Sequence, residues 1–324
     1  MTALSIPTAS TAKPFARSPS WLASAGLVVL WTLLCGFGAE RPAAAGSASL
    51  AMADATVASG MGTAALYGNP AGMSQAQQGV IEGGFARSGP KGGGGFYGTY
   101  VDSTSSWGLA AGVGWEQRTA WASGDGQPRF GQDVRAGLSV GGQSDAGKLL
   151  FGVSGRWLDV TSQATGSKRS VTGWTGDVGA TVGLQHIRIG AVLRNALQID
   201  DVEAPRRLAT GIALVGERGV LEVDGSWGLL GDKAPAAAGD GPSYRVGGAL
   251  QFAEEGLQLR GGYVYDNIIP ASPQRHWISG GLSWRTTQAS IDTGVSVDVA
   301  NGYPVQFSAS LTWLVPYDWA SAAH

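Results

Sequence analysis

Between residues 80 and 315 the chain repeats one pattern: short runs in which apolar side chains occupy every second place. In Val305–Val315, "VQFSASLTWLV", Val305, Phe307, Ala309, Leu311, Trp313 and Val315 fall on one side, and Gln306, Ser308, Ser310 and Thr312 on the other. In Gly256–Asp266, Leu257, Leu259, Tyr263 and Tyr265 oppose Gln258, Arg260 and Asp266. A period of two is the signature of a β-strand with one apolar face, because successive side chains point to opposite faces. Fourteen such runs are present, at 79–87, 94–102, 107–117, 129–141, 149–159, 171–184, 187–197, 206–216, 219–229, 243–253, 256–266, 275–286, 289–300 and 305–315. Each is about the length a tilted strand needs to cross a bilayer. The connections alternate as well. Short ones centre on Ser103–Ser106, Ser144–Gly147, Gln185–His186, Glu217–Arg218, Glu254–Glu255 and Thr287–Gln288. Those between are longer and richer in Gly, Pro and charge, such as "RTAWASGDGQP", "TSQATGSKRS" and "LGDKAPAAAGDGP". An even strand count with short turns at one end and longer loops at the other is the pattern of an outer-membrane barrel. The expected fold is all-β: a 14-stranded antiparallel transmembrane β-barrel over 79–315.

Composition agrees. Only 14% of residues are charged, net charge is −2 and Gly is abundant at 52 residues. Soluble domains carry about a quarter charged residues. The balance gives no reason to expect nucleic acid as a partner. The first 45 residues read as a secretory leader. Lys13 and Arg17 precede an apolar run, "WLASAGLVVLWTLL", and a small-residue site ends at Ala45 in "PAAAG". A retained anchor and a lipoprotein through Cys35 are the competing readings. The run is nearly long enough to span, and the bulky Leu34 stands against lipidation. Cleavage after Ala45 leaves a mature chain without cysteine, since Cys35 is the only one. No second apolar run reaches spanning length, so a mature membrane protein has to be a barrel.

Register makes further expectations. A two-residue turn at Gln185–His186 sets Asp177 opposite Arg194, both inward, as a cross-strand ion pair. A turn at Glu217–Arg218 sets Ala213 opposite Glu222. Trp107, Phe151, Phe252, Trp284 and Trp313 fall near the short-turn ends, and Trp115, Trp157, Trp174, Trp227, Tyr244 and Tyr265 near the long-loop ends. On the apolar face these form two aromatic girdles. Arg135, Arg156, Asp177, Arg194, Arg245, Arg260 and Asp292 project into the lumen, with Arg188, Arg207, Glu222, Asp224 and Asp298. Their interleaved signs suit an internal brace that holds a plug by hydrogen bonds. The alternative is a polar constriction for an anionic solute.

Residues 46–78 lack strand alternation and end in "ALYGNPAGMS". Asn69 is a good helix N-cap and Pro70 suits the first helical position, so a helical turn is expected through Ala71, Gly72 and Met73. With Asn69, Pro70, Ala71 and Gly72 placed just before the first strand, the chain resembles the outer-membrane long-chain fatty-acid transporter (FadL) family and its PorV-like relatives. The resemblance implies a small N-terminal plug over 46–78 inside a fourteen-stranded barrel in the bacterial outer membrane. It also implies passive uptake of hydrophobic or amphipathic small molecules. The chain departs from the family in its shorter loops. It also departs in ending "QFSASLTW" with an added tail at 316–324, expected in the periplasm. Short loops favour a second role, a non-transporting anchor or subunit of an envelope-spanning machine. The expected partners are outer-membrane lipid and either a hydrophobic small molecule or envelope proteins. No catalytic residue, cofactor or metal ligand is expected. His186, His276 and His324 are scattered, and "GPKGGGG" lacks the ending of a phosphate loop.

Overall fold

A computed structural model describes residues 46–88, 93–122, 128–144, 147–164, 167–197, 204–229, 241–252, 255–267, 275–299 and 305–315. The leader, Cys35 and the tail at 316–324 lie outside the described residues. The strands are β1 (Gly79–Ser88), β2 (Gly94–Asp102), β3 (Leu109–Ala122), β4 (Pro128–Ser144), β5 (Gly147–Ala164), β6 (Ser167–Gly183) and β7 (Ile187–Arg194). They continue as β8 (Arg207–Val215), β9 (Gly219–Gly228), β10 (Ser243–Gln251), β11 (Gly256–Asp266), β12 (Arg275–Arg285), β13 (Ala289–Asp298) and β14 (Val305–Val315). Each pairs antiparallel with its neighbours in sequence, and β1 closes on β14 from Gly79↔Val315 to Ser88↔Gln306. Closure leaves no strand at a free sheet edge, although the β6–β7 ladder covers only Val178–Gly183 of the longer β6.

The β6–β7 ladder follows the expected count as far as Val178↔Leu193, one step short of Asp177 and Arg194. Ala213 pairs with Glu222. Hairpins close tightly at Gln185–His186, Glu217–Arg218 and Thr287–Gln288, where Leu184 N–H, Gly216 N–H and Thr286 N–H each donate at 2.8 Å to the carbonyls of Ile187, Gly219 and Ala289. The apolar face points out. Val113, Leu138, Phe151, Ile212 and Ile278 are all exposed, and at one end Trp107 is 84% exposed. A patch of this extent is intolerable in water and ordinary in hydrocarbon. On the outer face near the long-loop ends, Tyr244 stacks on Tyr265, and Tyr263 Oη and His276 Nδ1 share a hydrogen bond of 2.6 Å.

Two connections differ from expectation. The stretches 118–128 and 161–170, read as loops, are largely strand: β3 extends to Ala122, β4 starts at Pro128, β5 runs through Ala164 and β6 starts at Ser167. Ladder hydrogen bonds require no apolar alternation. Here Thr and Ser face each other across the ladder, with the Thr161 and Ser170 hydroxyls 3.4 Å apart across β5 and β6. At 18 and 17 residues, β5 and β6 span roughly 55 Å. An apolar band is about 25 Å tall, so this hairpin continues past the membrane at the long-loop end.

Residues 46–78 form helix α1 (Ser47–Ala51), helix α2 (Thr63–Tyr67) and a 3-10 helix at Pro70–Gln75. α1 packs against β11–β14 and the 3-10 helix against β3–β6, so the segment crosses from one inner wall to the other. Three small apolar clusters hold it: Ala65, Leu66 and Met73 with Val101 and Ala110; Ala53 with Val264 and Trp277; and Val57 with Val192 and Ala209. Trp277 faces inward and is fully buried, unlike the girdle tryptophans.

Candidate functional site: the lumen and its N-terminal segment

Asn69 caps the 3-10 helix as expected: its Oδ1 accepts Ala71 N–H at 3.2 Å, with Pro70 at the first helical position. The other half of the same side chain reaches further. Asn69 Nδ2 donates to Val57 O at 2.8 Å within the segment and to Thr181 Oγ1 and Ala180 O, both 3.2 Å, on β6. Only an amide does both tasks, because a carboxylate has no proton to give. Asn69→Asp therefore keeps the cap acceptor but turns an anionic oxygen toward carbonyls. It is expected to loosen the segment at least as much as Asn69→Ala, whose lost cap alone costs about 1 kcal/mol. Proteinase K cleavage within 46–78 of the folded protein measures the difference.

The wall is shaped for this approach by glycine. A Cβ at Gly179 would overlap Asn69 Oδ1, one at Gly152 would overlap Pro70, one at Gly190 would overlap Val57 O and one at Gly247 would overlap Met52 O. The first three lie on β5, β6 and β7. Gly152 pairs directly with Gly179, and Gly190 with Gly211. Inward glycines thus cut a track around the barrel in which the backbone of the segment lies.

Two carboxylates fasten it there. Glu222 and Asp224 are two residues apart on β9 and so share the inner face; both are buried. Asp224 Oδ2 accepts Thr56 N–H at 2.9 Å and Val57 N–H at 3.2 Å. Glu222 accepts Ala58 N–H at 2.6 Å, Ser59 N–H at 3.1 Å and the Ser59 hydroxyl. Four consecutive backbone amides thus find their acceptors on two neighbouring side chains of β9.

The predicted lumen charges fall into separate groups. Arg135, Arg156 and Asp177 come together around Asp133. Arg156 Nε lies 2.6 Å and Arg135 Nε 3.2 Å from Asp133, and Arg135 lies 3.7 Å from Asp177. The Arg135 guanidinium stacks 4.8 Å from the centre of the Tyr67 ring. Arg260 and Asp292 pair at 2.5 Å on the opposite wall. The expected Asp177–Arg194 pair does not form. Asp177 accepts Asn195 N–H at 2.8 Å, while Arg194 Nη2 reaches the Gly68 carbonyl of the segment at 3.4 Å. The segment competes for that arginine, which strand register alone does not reveal. Arg245 Nε is buried with no partner among the described residues. Glu116 and Asp133 were missed, although Glu116 sits two residues before Arg118 and Asp133 two before Arg135. That spacing puts each pair on one strand face. Arg118 and Glu116 form a two-pronged pair, both contacts 2.6 Å.

A closed antiparallel barrel with an apolar exterior and a charged interior is a transmembrane β-barrel. No family model and no curated protein sequence matches the chain. Among solved structures it is similar to a TodX deltaS2S3 mutant monoaromatic hydrocarbon channel. The TM-score is 0.63 at 16% identity, over 83% of this chain and 98% of that one. It is also similar to the Ralstonia pickettii toluene transporter TbuX, with TM-score 0.58 at 14% identity over 86% and 98%. At such identities the likeness is one of fold alone.

Proposed function

We propose that this chain is an outer-membrane channel for passive uptake of hydrophobic or amphipathic small molecules, with residues 46–78 as its plug and Asn69, Pro70, Ala71 and Gly72 as the turn that seats it. The observation that carries this reading is the clasp of Glu222 and Asp224 on four consecutive amides of the segment. A barrel that served only as an anchor has no need of a lumen shaped and charged to hold its own N-terminus. The two similar structures named as a hydrocarbon channel and a toluene transporter support it. Arg135, Arg156, Asp177 and Arg194 brace one side of the plug, and Arg260 with Asp292 the other. Arg245 offers an unfilled donor to a polar head group.

Uptake of labelled toluene and of a labelled fatty acid, in cells deprived of their own channels, tests the reading. Expression is expected to raise the initial rate of at least one above empty vector. No rise, with the protein present in the outer membrane and a stable protein partner co-purifying, would instead support an envelope anchor of the PorV-like kind. A tag inserted in 232–241 is expected to label intact cells and one at Gln185–His186 to stay inaccessible, because the short turns face the periplasm. The opposite labelling would invert the topology.

A further inference from the structure

We propose that cutting the leader completes an ion pair inside the barrel: the α-ammonium released at Gly46 pairs with the buried carboxylate of Glu82 and seats the N-terminal segment. Glu82 lies on β1, faces inward and is buried. It accepts Thr63 Oγ1 at 2.5 Å and Tyr97 Oη at 2.9 Å, and the same Tyr97 oxygen accepts Ser47 N–H at 3.3 Å. Among the described residues no Lys, Arg or His pairs with Glu82. The charged group facing it is Asp292, of the same sign and already held by Arg260 at 2.5 Å. A buried carboxylate served by two hydroxyls and no cation is costly, and the cost falls when a cation arrives.

Gly46 is the residue beside it. It is buried, with φ +98, a conformation that favours glycine. A Cβ built on it would lie 3.2 Å from Glu82 Oε1. In a glycine that position is empty. Once the bond to Ala45 is gone, a third of a turn about the Gly46 Cα–C bond carries the nitrogen into it, because the substituents of a tetrahedral carbon exchange places on such a rotation. The Gly46 carbonyl, which accepts Leu50 N–H at 3.1 Å, stays where it is. The small-residue site read from the sequence ends at Ala45, one residue before. Hydrolysis of the Ala45–Gly46 bond consumes one water and leaves a carboxylate on Ala45 and an ammonium on Gly46. The uncut chain offers Glu82 only a neutral amide at this point. The cut chain offers a positive charge with three donors, so the segment gains this anchor after export. The proposal rests on the segment lying inside the barrel and is independent of what the channel carries.

The test uses protein purified from outer membranes in detergent. Mass spectrometry is expected to find a mature chain starting at Gly46. Acetic anhydride is expected to modify its α-amine about tenfold or more slowly in the folded than in the unfolded protein, as for a group exposed only by local opening. Glu82→Gln, folded by heat-dependent gel mobility, is expected to lose most of that protection. So is a chain carrying one extra residue before Gly46, which keeps Glu82 but displaces the ammonium and remains decisive if Glu82→Gln does not fold. A mature chain starting elsewhere, equal labelling in folded and unfolded wild type, or full protection in both variants would overturn the proposal. Slow amide exchange at residues 56–59 beside a freely labelled amine would reject the ion pair while leaving the plug. Fast exchange there would reject both.

Discussion

Planar bilayers holding the chain without residues 46–78 are expected to carry a steady current, and bilayers holding the intact protein very little. The deletion removes no ladder: every strand pair, including the β1–β14 closure, lies outside the segment. The outward apolar band is also untouched, so the barrel keeps most of what stabilises it. The inward face left behind is polar and hydrates readily, with Glu82, Arg135, Glu222 and Asp224 among its charges. The glycines at 152, 179 and 190 add no side chains to narrow it. Single-channel recording of the two proteins under the same salt measures the effect. Equal currents would place the segment outside the conduction path.

The second large effect is expected from Glu222→Ala combined with Asp224→Ala. Four amides, at Thr56, Val57, Ala58 and Ser59, lose their acceptors at once. A buried donor left unpaired costs at least about 1 kcal/mol, so the four together amount to roughly 4 kcal/mol. That corresponds to about a thousandfold rise in the fraction of time the segment is loose. The double variant is expected to show frequent channel openings, where the wild type is expected to stay quiet. Glu222→Gln with Asp224→Asn keeps one neutral acceptor on each side chain and is expected to fall between them. A double alanine variant as quiet as wild type would mean that the carboxylates do not hold the segment.

The barrel was legible because hydrocarbon imposes a rule on every strand. Val305–Val315 has to show lipid an apolar face, and its alternation states that directly. The turn at Glu217–Arg218 then fixes Ala213 against Glu222 by counting. Where the rule lapses, so does legibility. The β5–β6 hairpin beyond the membrane carries residues such as Thr161 and Ser170, which alternate nothing apolar and so resemble a loop. The lumen was legible only in part. Parity identified Glu222 and Asp224 as inward, but their partners are backbone amides, which any sequence possesses. Arg194 was assigned to Asp177 by register, and a carbonyl of the segment takes it instead. The glycine track is visible in composition only as abundance. Its meaning depends on which carbonyl or side chain arrives at each gap. Asn69 could be read as a cap from its neighbour Pro70, but not as the link to β6.

The most direct measurement of the central claim is amide hydrogen exchange across residues 52–60 in the folded, detergent-solubilised protein. Amides clasped by Glu222 and Asp224 inside a closed barrel exchange only when the segment detaches. They are expected to exchange as slowly as those of β9 itself. Exchange at the rate of an unstructured peptide would contradict the account, because the segment would then not be held in the lumen.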